Sequence, residues 1–268
     1  MPKTVLITGT SSGFGEALVD AFAAAGWNVA ATARNLSKMP THFAQLPNVL
    51  VQYLDVTDEP SIHQAVAASK DRFGGLDVLV NAAGYTQVGS LEELSIDDIR
   101  KVFEANFFGL LSVTKEVLPG FREQGSGHII NFSSLAGAVG LPIVSSYSAS
   151  KWAVEGYSEA LSRDTAHLGV QVTIVQPGLF ATGLGDSAGR PDQLVDAYWT
   201  ADSAASRTWY DQTLGNLKAS AGAIVSIAGS PSAPLRLYVG HALDDARRYT
   251  RERLDEWDRW EELNKTTL

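Results

Sequence analysis

Tyr147 and Lys151 are four residues apart in this 268-residue chain, and apolar positions at Val154, Tyr157 and Leu161 follow with a helical period. Residues at i and i+4 share one face of a helix, so the Lys151 ammonium would lie beside the Tyr147 phenol. A nearby cation favours the phenolate and lowers the pKa of a tyrosine from about 10. The pair is therefore a candidate for proton exchange near neutral pH. Taken alone, the spacing is more typical of an amphipathic helix surface.

A glycine-rich turn near the amino terminus has the residue types of an anion-binding loop. It follows the apolar run from Val5 to Ile7 and precedes strong helix formers from Glu16 to Ala25. Glycines permit a tight turn and close backbone approach, and the first amides of a helix favour an anionic pyrophosphate. The predicted phosphate loop consists of Gly9, Thr10, Ser11, Ser12, Gly13, Phe14 and Gly15. A purely structural turn is the alternative for three glycines taken alone.

The elements that must position these residues alternate along the chain. Short β-branched and apolar runs lie at Val5 to Ile7, Asn28 to Thr32, Val49 to Leu54, Val78 to Val80, His128 to Phe132, Val170 to Val175 and Leu235 to Val239. Longer helical segments separate them, which is typical of βαβ units, and successive apolar residues indicate strands covered on both faces. We predict an α/β fold: a single-domain Rossmann-like doubly wound parallel sheet with helices on both faces, spanning residues 1–268.

Three further segments carry structural predictions. A capping-box-like start at Ser95 predicts a helix that continues toward Pro119. Residues 179–232 interrupt the alternation and are predicted to form a substrate loop or lid. A charged helix is predicted from Ala242 to Asn264, with its three large apolar residues docked on the core: Leu254, Trp257 and Trp260.

The loop pattern Thr-Gly-x-x-x-Gly-x-Gly resembles the nucleotide-loop signature of the short-chain dehydrogenases/reductases, and further matches extend over most of the chain. They are Asp55 and Val56 after the third strand, Asn81, Ala82, Ala83 and Gly84 after the fourth, and Pro177, Gly178 and Thr182 after the sixth. The resemblance implies that the first pair borders the adenine and that the second group supports the cofactor cleft. It also implies that the third group lies beside the nicotinamide. Relatives often have an asparagine, a threonine and an acid at the positions of Ala82, Ala105 and Gln176, so hydrogen bonding near the cleft differs here.

The same resemblance implies a catalytic tetrad of Asn106, Ser134, Tyr147 and Lys151. Ser134 lies thirteen residues before Tyr147, the family spacing, which selects it over Ser133. Its hydroxyl would stabilise charge on the reacting oxygen. The backbone carbonyl of Asn106 would hold a water leading to Lys151, and Lys151 would also hold the nicotinamide ribose. The implied reaction is reversible hydride transfer between the cofactor and a ketone, aldehyde or secondary alcohol, with proton exchange at Tyr147.

Cofactor choice is indicated by the end of the second strand, which reads Ala31-Thr32-Ala33-Arg34. An acid that would accept hydrogen bonds from the adenosine ribose of NAD is absent, whereas Arg34 could meet a 2′-phosphate. We predict a preference for NADP(H), with NAD(H) as the alternative. Ser12, where some NADP-using relatives have a cation, adds no support.

An apolar substrate pocket and subunit contacts complete the expectations. The pocket is predicted from Tyr85, Val139, Leu141, Ile143, Leu179 and Phe180, with lid aromatics at Tyr198, Trp199, Trp209 and Tyr210. The helices near Ser95 to Pro119 and Tyr147 to Leu168 resemble the subunit-contact helices of the family. We expect a homodimer or homotetramer.

Composition restricts other functions. The net charge of −9 offers no basic surface for nucleic acid, and the absence of cysteine excludes thiolate catalysis and thiolate metal sites. The five histidines show no paired ligand spacing, so no metal is expected. The amino terminus does not read as a secretory signal and no apolar run reaches the length of a membrane span, so we expect a cytoplasmic protein without a membrane partner.

Two other functions share these features. A noncatalytic NADP-sensing or scaffold protein could use the same fold, and a related epimerase or dehydratase could use the tyrosine and lysine. The complete tetrad weighs against a sensor, because binding alone needs no acid/base pair. The lack of a larger C-terminal substrate domain weighs against many nucleotide-sugar enzymes.

Overall fold

The computed structural model describes residues 2–184, 188–191, 193–199 and 214–267. Within these residues, seven parallel strands form one sheet in the order β3-β2-β1-β4-β5-β6-β7. The strands are β1 (Thr4–Thr8), β2 (Asn28–Ala33), β3 (Val49–Tyr53), β4 (Val78–Asn81), β5 (Gly127–Phe132), β6 (Val170–Pro177) and β7 (Arg236–Val239). This arrangement confirms the predicted doubly wound α/β fold.

Helices cover both faces of the sheet. They are α1 (Gly13–Ala24), α2 (Glu59–Phe73), α3 (Ile96–Phe103), α4 (Gly109–Gln124), α5 (Ser145–Thr165), α6 (Leu217–Ala228), α7 (Ala242–Arg259) and α8 (Glu261–Lys265). A π-helical segment, Glu104–Phe108, joins α3 to α4, so the helix predicted from Ser95 runs past Pro119 and is widened in its middle. Ser95 caps α3 by accepting a hydrogen bond from the Asp98 amide at 3.1 Å.

The strand residues alternate between two cores. Val5 and Ile7 pack with α1 and α6 on one face, whereas Leu6 packs with α2, α4 and α5 on the other. Every residue of β1 is buried, as expected for a continuous apolar run that is covered by helices on both faces. The sheet is thereby held rigidly between its helices, and its carboxyl edge can position side chains precisely.

Two parts of the carboxyl-terminal third differ from expectation. Helix α6 lies inside the segment predicted as a lid, but its buried Ala221, Ile224 and Ala228 belong to the core beside α1. A lid therefore stays a proposal for the described residues that precede α6 in this segment. The predicted docking of the last helix was wrong: Leu254, Trp257 and Trp260 are 48%, 61% and 62% exposed. The helix packs through small residues near its start, Ala242 and Ala246, because only its first turns reach the core.

Candidate active site

A cleft of about 200 Å³ opens at the carboxyl ends of β1, β4, β5 and β6. Strands β1 and β4 are neighbours from which the chain proceeds in opposite directions, and such a switch point is where doubly wound sheets bind ligands. The cleft brings together Ser134, Tyr147 and Lys151 with predicted cofactor residues from three other segments. These are Phe14, Ala82, Gly84, Pro177, Gly178 and Thr182.

The predicted phosphate loop forms a tight turn between β1 and α1. Gly9 and Gly13 have positive φ angles of 75° and 60°, which side-chain-bearing residues rarely adopt. A Cβ on Gly15 would collide with the Gly9 carbonyl, and one on Gly9 would lie 2.7 Å from the Ala83 Cα atom. Ser12, the N-cap of α1, does not cap the helix with its side chain. The first amides of α1 are therefore open to an anion, and the loop fits a pyrophosphate.

Threonine hydroxyls tie this loop to neighbouring strands. The Thr8 hydroxyl accepts hydrogen bonds from the amides of Ala82 and Ala83, both at 3.1 Å. The Thr10 hydroxyl donates to the Thr32 carbonyl at 3.1 Å. Asn81 lies below, where its amide donates to Asn131 at 2.9 Å and to Thr114 at 3.0 Å. The loop and the Asn81–Gly84 segment are thus one hydrogen-bonded unit.

Lys151 projects from α5 beside Tyr147, as the four-residue spacing requires. Its ammonium donates to the Phe132 carbonyl at 2.8 Å and lies 5.7 Å from the centre of the Tyr147 ring. Burial lowers the pKa of Lys151 to about 8, and the negative charge of Glu155 opposes that shift. Burial therefore makes the Lys151 ammonium easier to deprotonate than that of a solvent-exposed lysine.

Ser134 lies where β5 ends and a short 3₁₀ turn begins. Its hydroxyl oxygen accepts a hydrogen bond from the Ala136 amide at 3.1 Å, so it does cap that turn. A hydroxyl that accepts through a lone pair keeps its hydrogen for another acceptor. Ser134 can therefore donate to an oxygen in the cleft, whereas the neighbouring Ser133 hydroxyl is buried beside Gly137.

Asn106 is buried in the π-helical segment and connects three parts of the site. Its side-chain amide donates to the Tyr85 carbonyl at 2.9 Å and to the Ser150 hydroxyl at 3.1 Å, while its side-chain oxygen accepts from the Tyr85 amide at 2.9 Å. A Cβ on Gly84 would lie 2.9 Å from this oxygen and 3.7 Å from the Lys151 nitrogen. π-Helical segments are frequent at functional sites. Gly84 therefore lies between the Asn106 side chain and the Lys151 ammonium.

The residues predicted to meet the adenosine end lie farther along the same edge. Arg34 is exposed directly after β2, and within the described ranges no carboxylate forms an ion pair with it. Asp55 accepts hydrogen bonds from the Thr57 amide and hydroxyl at 2.9 and 2.8 Å, so turn formation uses part of its carboxylate. Val56 packs on Gly109, where a Cβ would lie 2.6 Å from the valine.

Part of the predicted substrate set lines the cleft, whereas Tyr85 and Ile143 are not among its lining residues. Leu141, Leu179 and Phe180 line the cleft, and so do residues the sequence did not single out: Thr86, Val144 and Leu184. Val139 instead packs beneath it against the start of α7. Tyr198 and Trp199 are bound to Glu92 and Glu93, and the predicted Trp209 and Tyr210 lie outside the described residues.

The segment leading into Tyr147 is held under backbone strain. Ile143 has a φ of 54°, which is rare for a β-branched residue. Its carbonyl accepts from the Gly89 amide at 2.7 Å, and Gly89 pairs with Val144 in an isolated parallel bridge. Segment 86–90 therefore fixes the entry to α5. No sequence signal indicated this contact, because it joins distant segments.

Two further features are absent from the described part of the chain. No cluster of three potential metal ligands occurs there. Likewise, none of the helices within it has the length and apolar character needed to cross a membrane.

Comparison with known proteins defines the class. A family model described as short chain dehydrogenase matches residues 3–193. Oxidoreductase BOA17 of Botryotinia fuckeliana is 33% identical over 271 residues, covering 98% of each chain. The 3-ketodihydrosphingosine reductase of Bacteroides thetaiotaomicron is 40% identical over 186 residues, or 69% of this chain and 67% of that one. The protein therefore belongs to the short-chain dehydrogenase/reductase family and is an oxidoreductase.

Solved structures agree with this assignment. A short-chain dehydrogenase from Streptomyces avermitilis superimposes with a TM-score of 0.91 at 36% identity, covering 100% of this chain and 99% of that chain. A family member from Burkholderia phymatum in complex with NAD gives 0.79 at 26% identity, covering 95% of each chain. A gluconate 5-dehydrogenase from Burkholderia cenocepacia with NADP and tartrate gives 0.77 at 25% identity, covering 91% and 95%. These neighbours support a nicotinamide cofactor of either type.

Proposed function

We propose that this protein catalyses reversible hydride transfer between NADP(H) and a largely apolar ketone, aldehyde or secondary alcohol. The observation that carries the proposal is the convergence of Ser134, Tyr147 and Lys151 on one cleft beside an open helix amino terminus. Anion binding alone would need the helix terminus but not the three polar side chains. Their combination favours catalysis over cofactor sensing.

Cofactor binding uses the chain's own backbone. Gly9 to Gly15 would hold the pyrophosphate at the start of α1, Asp55 and Val56 would border the adenine, and Asn81 to Gly84 would support the cofactor cleft. Pro177, Gly178 and Thr182 also line the cleft, and the nicotinamide would lie beside them. When bound, the cofactor supplies a hydride to a carbonyl carbon or accepts one from an alcohol.

The proton chemistry belongs to the cleft side chains. Tyr147 gives a proton to the carbonyl oxygen during reduction and takes it back during oxidation. Ser134 donates a hydrogen bond to the same oxygen and stabilises its developing negative charge. Lys151, with its ammonium beside the Tyr147 ring, favours release of the phenol proton and would also hold the nicotinamide ribose. The Asn106 side chain connects Tyr85 to Ser150 on α5 by hydrogen bonds. Its backbone carbonyl is the proposed end of a water-mediated proton path.

The preference for NADP(H) rests on Arg34. An exposed guanidinium with no ion-pair partner in the described part of the chain can bind a 2′-phosphate with two hydrogen bonds. Its electrostatic influence reaches Tyr85, where burial and Asp98 raise the tyrosine pKa and Arg34 opposes them. Positive charge is thus available at the adenosine end.

The apolar substrate class follows from the lining of the cleft. Leu141, Val144, Leu179, Phe180 and Leu184 surround the space in front of Tyr147. A hydrocarbon group next to the reacting carbon would lose water on entering this space, which favours binding by roughly 25 cal/mol for each Å² of apolar surface removed.

A homodimer or homotetramer is proposed on the surface of the central helices. Trp152 on α5 and Phe108 before α4 are 42% and 48% exposed, although the other faces of both helices pack on the sheet. Sedimentation at several concentrations tests this, and a monomer at all of them would contradict it.

The decisive experiment follows NADPH and NADH oxidation with a panel of apolar ketones and aldehydes. The parent protein is compared with Tyr147→Phe and with the matched control Tyr157→Phe, which removes a hydroxyl from the same helix outside the cleft. We expect NADPH-dependent turnover that falls at least about a thousandfold in Tyr147→Phe and is preserved in the control.

Other outcomes separate the alternatives. Tight NADPH binding without turnover on the panel would favour a sensor. Conversion of a substrate without net change in the cofactor would favour an epimerase or dehydratase. Unchanged turnover in Tyr147→Phe would contradict the proton assignment.

A further inference from the structure

Glu155 is a buried acid on α5, one helical turn after Lys151 and behind the cleft. It lies in the narrow space under Gly137, where a Cβ would come within 3.2 Å of the Glu155 Cγ atom and 3.1 Å of the Lys151 carbonyl. Carboxylates are rarely buried unless they are paired. The pairing of this one therefore needs an explanation.

Arg236 on β7 supplies the partner. Its Nε donates to a Glu155 oxygen at 3.1 Å, and its terminal nitrogen donates to Glu159 at 2.6 Å. Glu159 also accepts from Arg163 at 2.6 Å and is far more exposed than Glu155. The outer pair is thus solvated, whereas the inner pair joins α5 to the edge of the sheet next to the cleft.

The remaining neighbours of Glu155 come from three elements. Burial raises the pKa of the Glu155 carboxyl, and Ser133 after β5, Gln176 on β6 and Arg236 act against that rise. Burial raises the pKa of Tyr238 on β7, the charge of Glu155 adds to this rise, and the charge of Arg236 opposes it. Lys151 itself faces the Phe132 carbonyl and the Tyr147 ring. Glu155 lies one helical turn from Lys151 on α5, and its negative charge opposes the lowering of the Lys151 pKa by burial.

We propose that Glu155 is a positioning residue for the active site, and that its carboxylate, held by Arg236, favours the protonated form of Lys151 beside Tyr147. The inference rests on the proposed role of Lys151 in proton exchange. Its physical basis is that a buried ammonium loses hydration, and a nearby anion restores part of the lost stabilisation. The helical spacing places the Glu155 carboxylate one turn from Lys151. The ion pair with Arg236 on β7 restricts the rotation of the Glu155 side chain.

The test is Glu155→Gln, which keeps the shape of the side chain and removes its charge. The pKa of Lys151 would be read directly by nuclear magnetic resonance on lysine-selectively labelled protein, assigned with Lys151→Arg. We expect it to fall by about one unit, because the opposing anion is lost. The alkaline limb of the pH–activity profile should move to lower pH by the same amount, since Lys151 then loses its proton earlier.

Glu159→Gln is the matched control, because it removes the outer pair and leaves the Glu155 contact to Arg236. It should leave both the titration of Lys151 and the pH profile in place. If Glu155→Gln fails to fold, Glu155→Gln with Arg236→Gln replaces both buried charges by amides, a change that buried ion pairs tolerate better than loss of one partner. The double variant should shift the Lys151 titration in the same direction, because Glu155 is the nearer charge.

An unchanged Lys151 pKa in the folded variant would overturn the proposal, even if activity declined through general destabilisation. Failure of the proposed function is distinguishable. If Tyr147→Phe retains turnover but Glu155→Gln still lowers the pKa of Lys151, the electrostatic coupling stands and the reaction assignment does not.

Discussion

Trp199 donates its indole N–H to the carboxylate of Glu93 at 2.7 Å, across 106 residues of sequence. The same Glu93 oxygen accepts from the Val195 amide at 2.6 Å, and the other oxygen accepts from the Ser90 amide at 2.7 Å. Nearby, the Val88 amide donates to the Gly189 carbonyl at 2.9 Å, and the Gly189 amide donates to the carbonyl of Thr86, which lines the cleft. Segment 86–93 therefore holds the described part of the candidate lid.

Glu93→Gln should loosen this lid segment. A neutral amide is a weaker acceptor than a carboxylate and brings N–H groups that face other donors. We expect faster amide hydrogen exchange in residues 193–199 and a KM several-fold higher with little change in kcat. Glu92→Gln, which alters only the contact with Tyr198, is the control. Equal exchange in the parent and Glu93→Gln would contradict the assignment.

The same contact has a defined pH dependence. Hydrogen bonds from Ser90, Trp199 and Val195 outweigh burial and lower the pKa of Glu93 to about 2 from 4.5. A lowered pKa in the folded state means that the ionised form stabilises the contact above about pH 4.5, and that this stabilisation is lost as pH falls toward 2. The protection factors of the amides in residues 193–199, which correct for the pH dependence of intrinsic exchange, should thus fall as pH falls through that range for the parent and stay flat for Glu93→Gln.

Arg34→Ala should reduce affinity for NADPH more than affinity for NADH. Removing a guanidinium from a 2′-phosphate costs about 1.5–3 kcal/mol, or roughly tenfold to a hundredfold in Kd. Titration calorimetry with both cofactors measures the difference, and Lys38→Ala controls for loss of a nearby positive charge. Equal losses for NADPH and NADH would exclude the proposed phosphate contact.

Gly15→Ala should destabilise the protein and abolish cofactor binding. The added methyl group would strike the Gly9 carbonyl within the phosphate loop, and such overpacking costs about 1–3 kcal/mol. Gly222→Ala on α6 is the matched control, because Gly222 is exposed and nothing lies within 4 Å of its Cβ position. That change should stabilise the helix by up to about 1 kcal/mol. Thermal denaturation with and without NADPH checks both, and a neutral Gly15→Ala would contradict the loop geometry.

Asn106→Ala should impair turnover more than cofactor affinity. The variant removes three hydrogen bonds that join the π-helical segment to Tyr85 and Ser150, and it leaves the partly buried backbone amide and carbonyl of Tyr85 without these partners. We expect a loss of about 2–4 kcal/mol in the free energy of unfolding and a fall in kcat. Denaturant unfolding measures the first quantity and steady-state kinetics the second. Asn264→Ala, on the exposed last helix, should change neither quantity. A fall in NADPH affinity with unchanged kcat would place Asn106 in cofactor binding instead.

Local sequence determined much of this protein. Continuous apolar runs specified buried parallel strands, because a strand covered on both faces has no solvent side. Gly9 and Gly13 signalled backbone conformations that other residues avoid, and Ser95 signalled a helix start by its hydrogen-bonding capacity. The spacing of Tyr147 and Lys151 specified their shared face, since the helical period alone decides it.

Only the tertiary structure decided what depends on distant segments. The exposure of Trp257 and Trp260 follows from where the last helix leaves the core, which its own apolar spacing cannot reveal. Glu155 looks like an ordinary helix-surface acid until β7 brings Arg236 beside it, and Glu93 looks like a loop residue until Trp199 reaches it. Burial and partners set the charge state of such groups, and both arise only when elements far apart in sequence pack together.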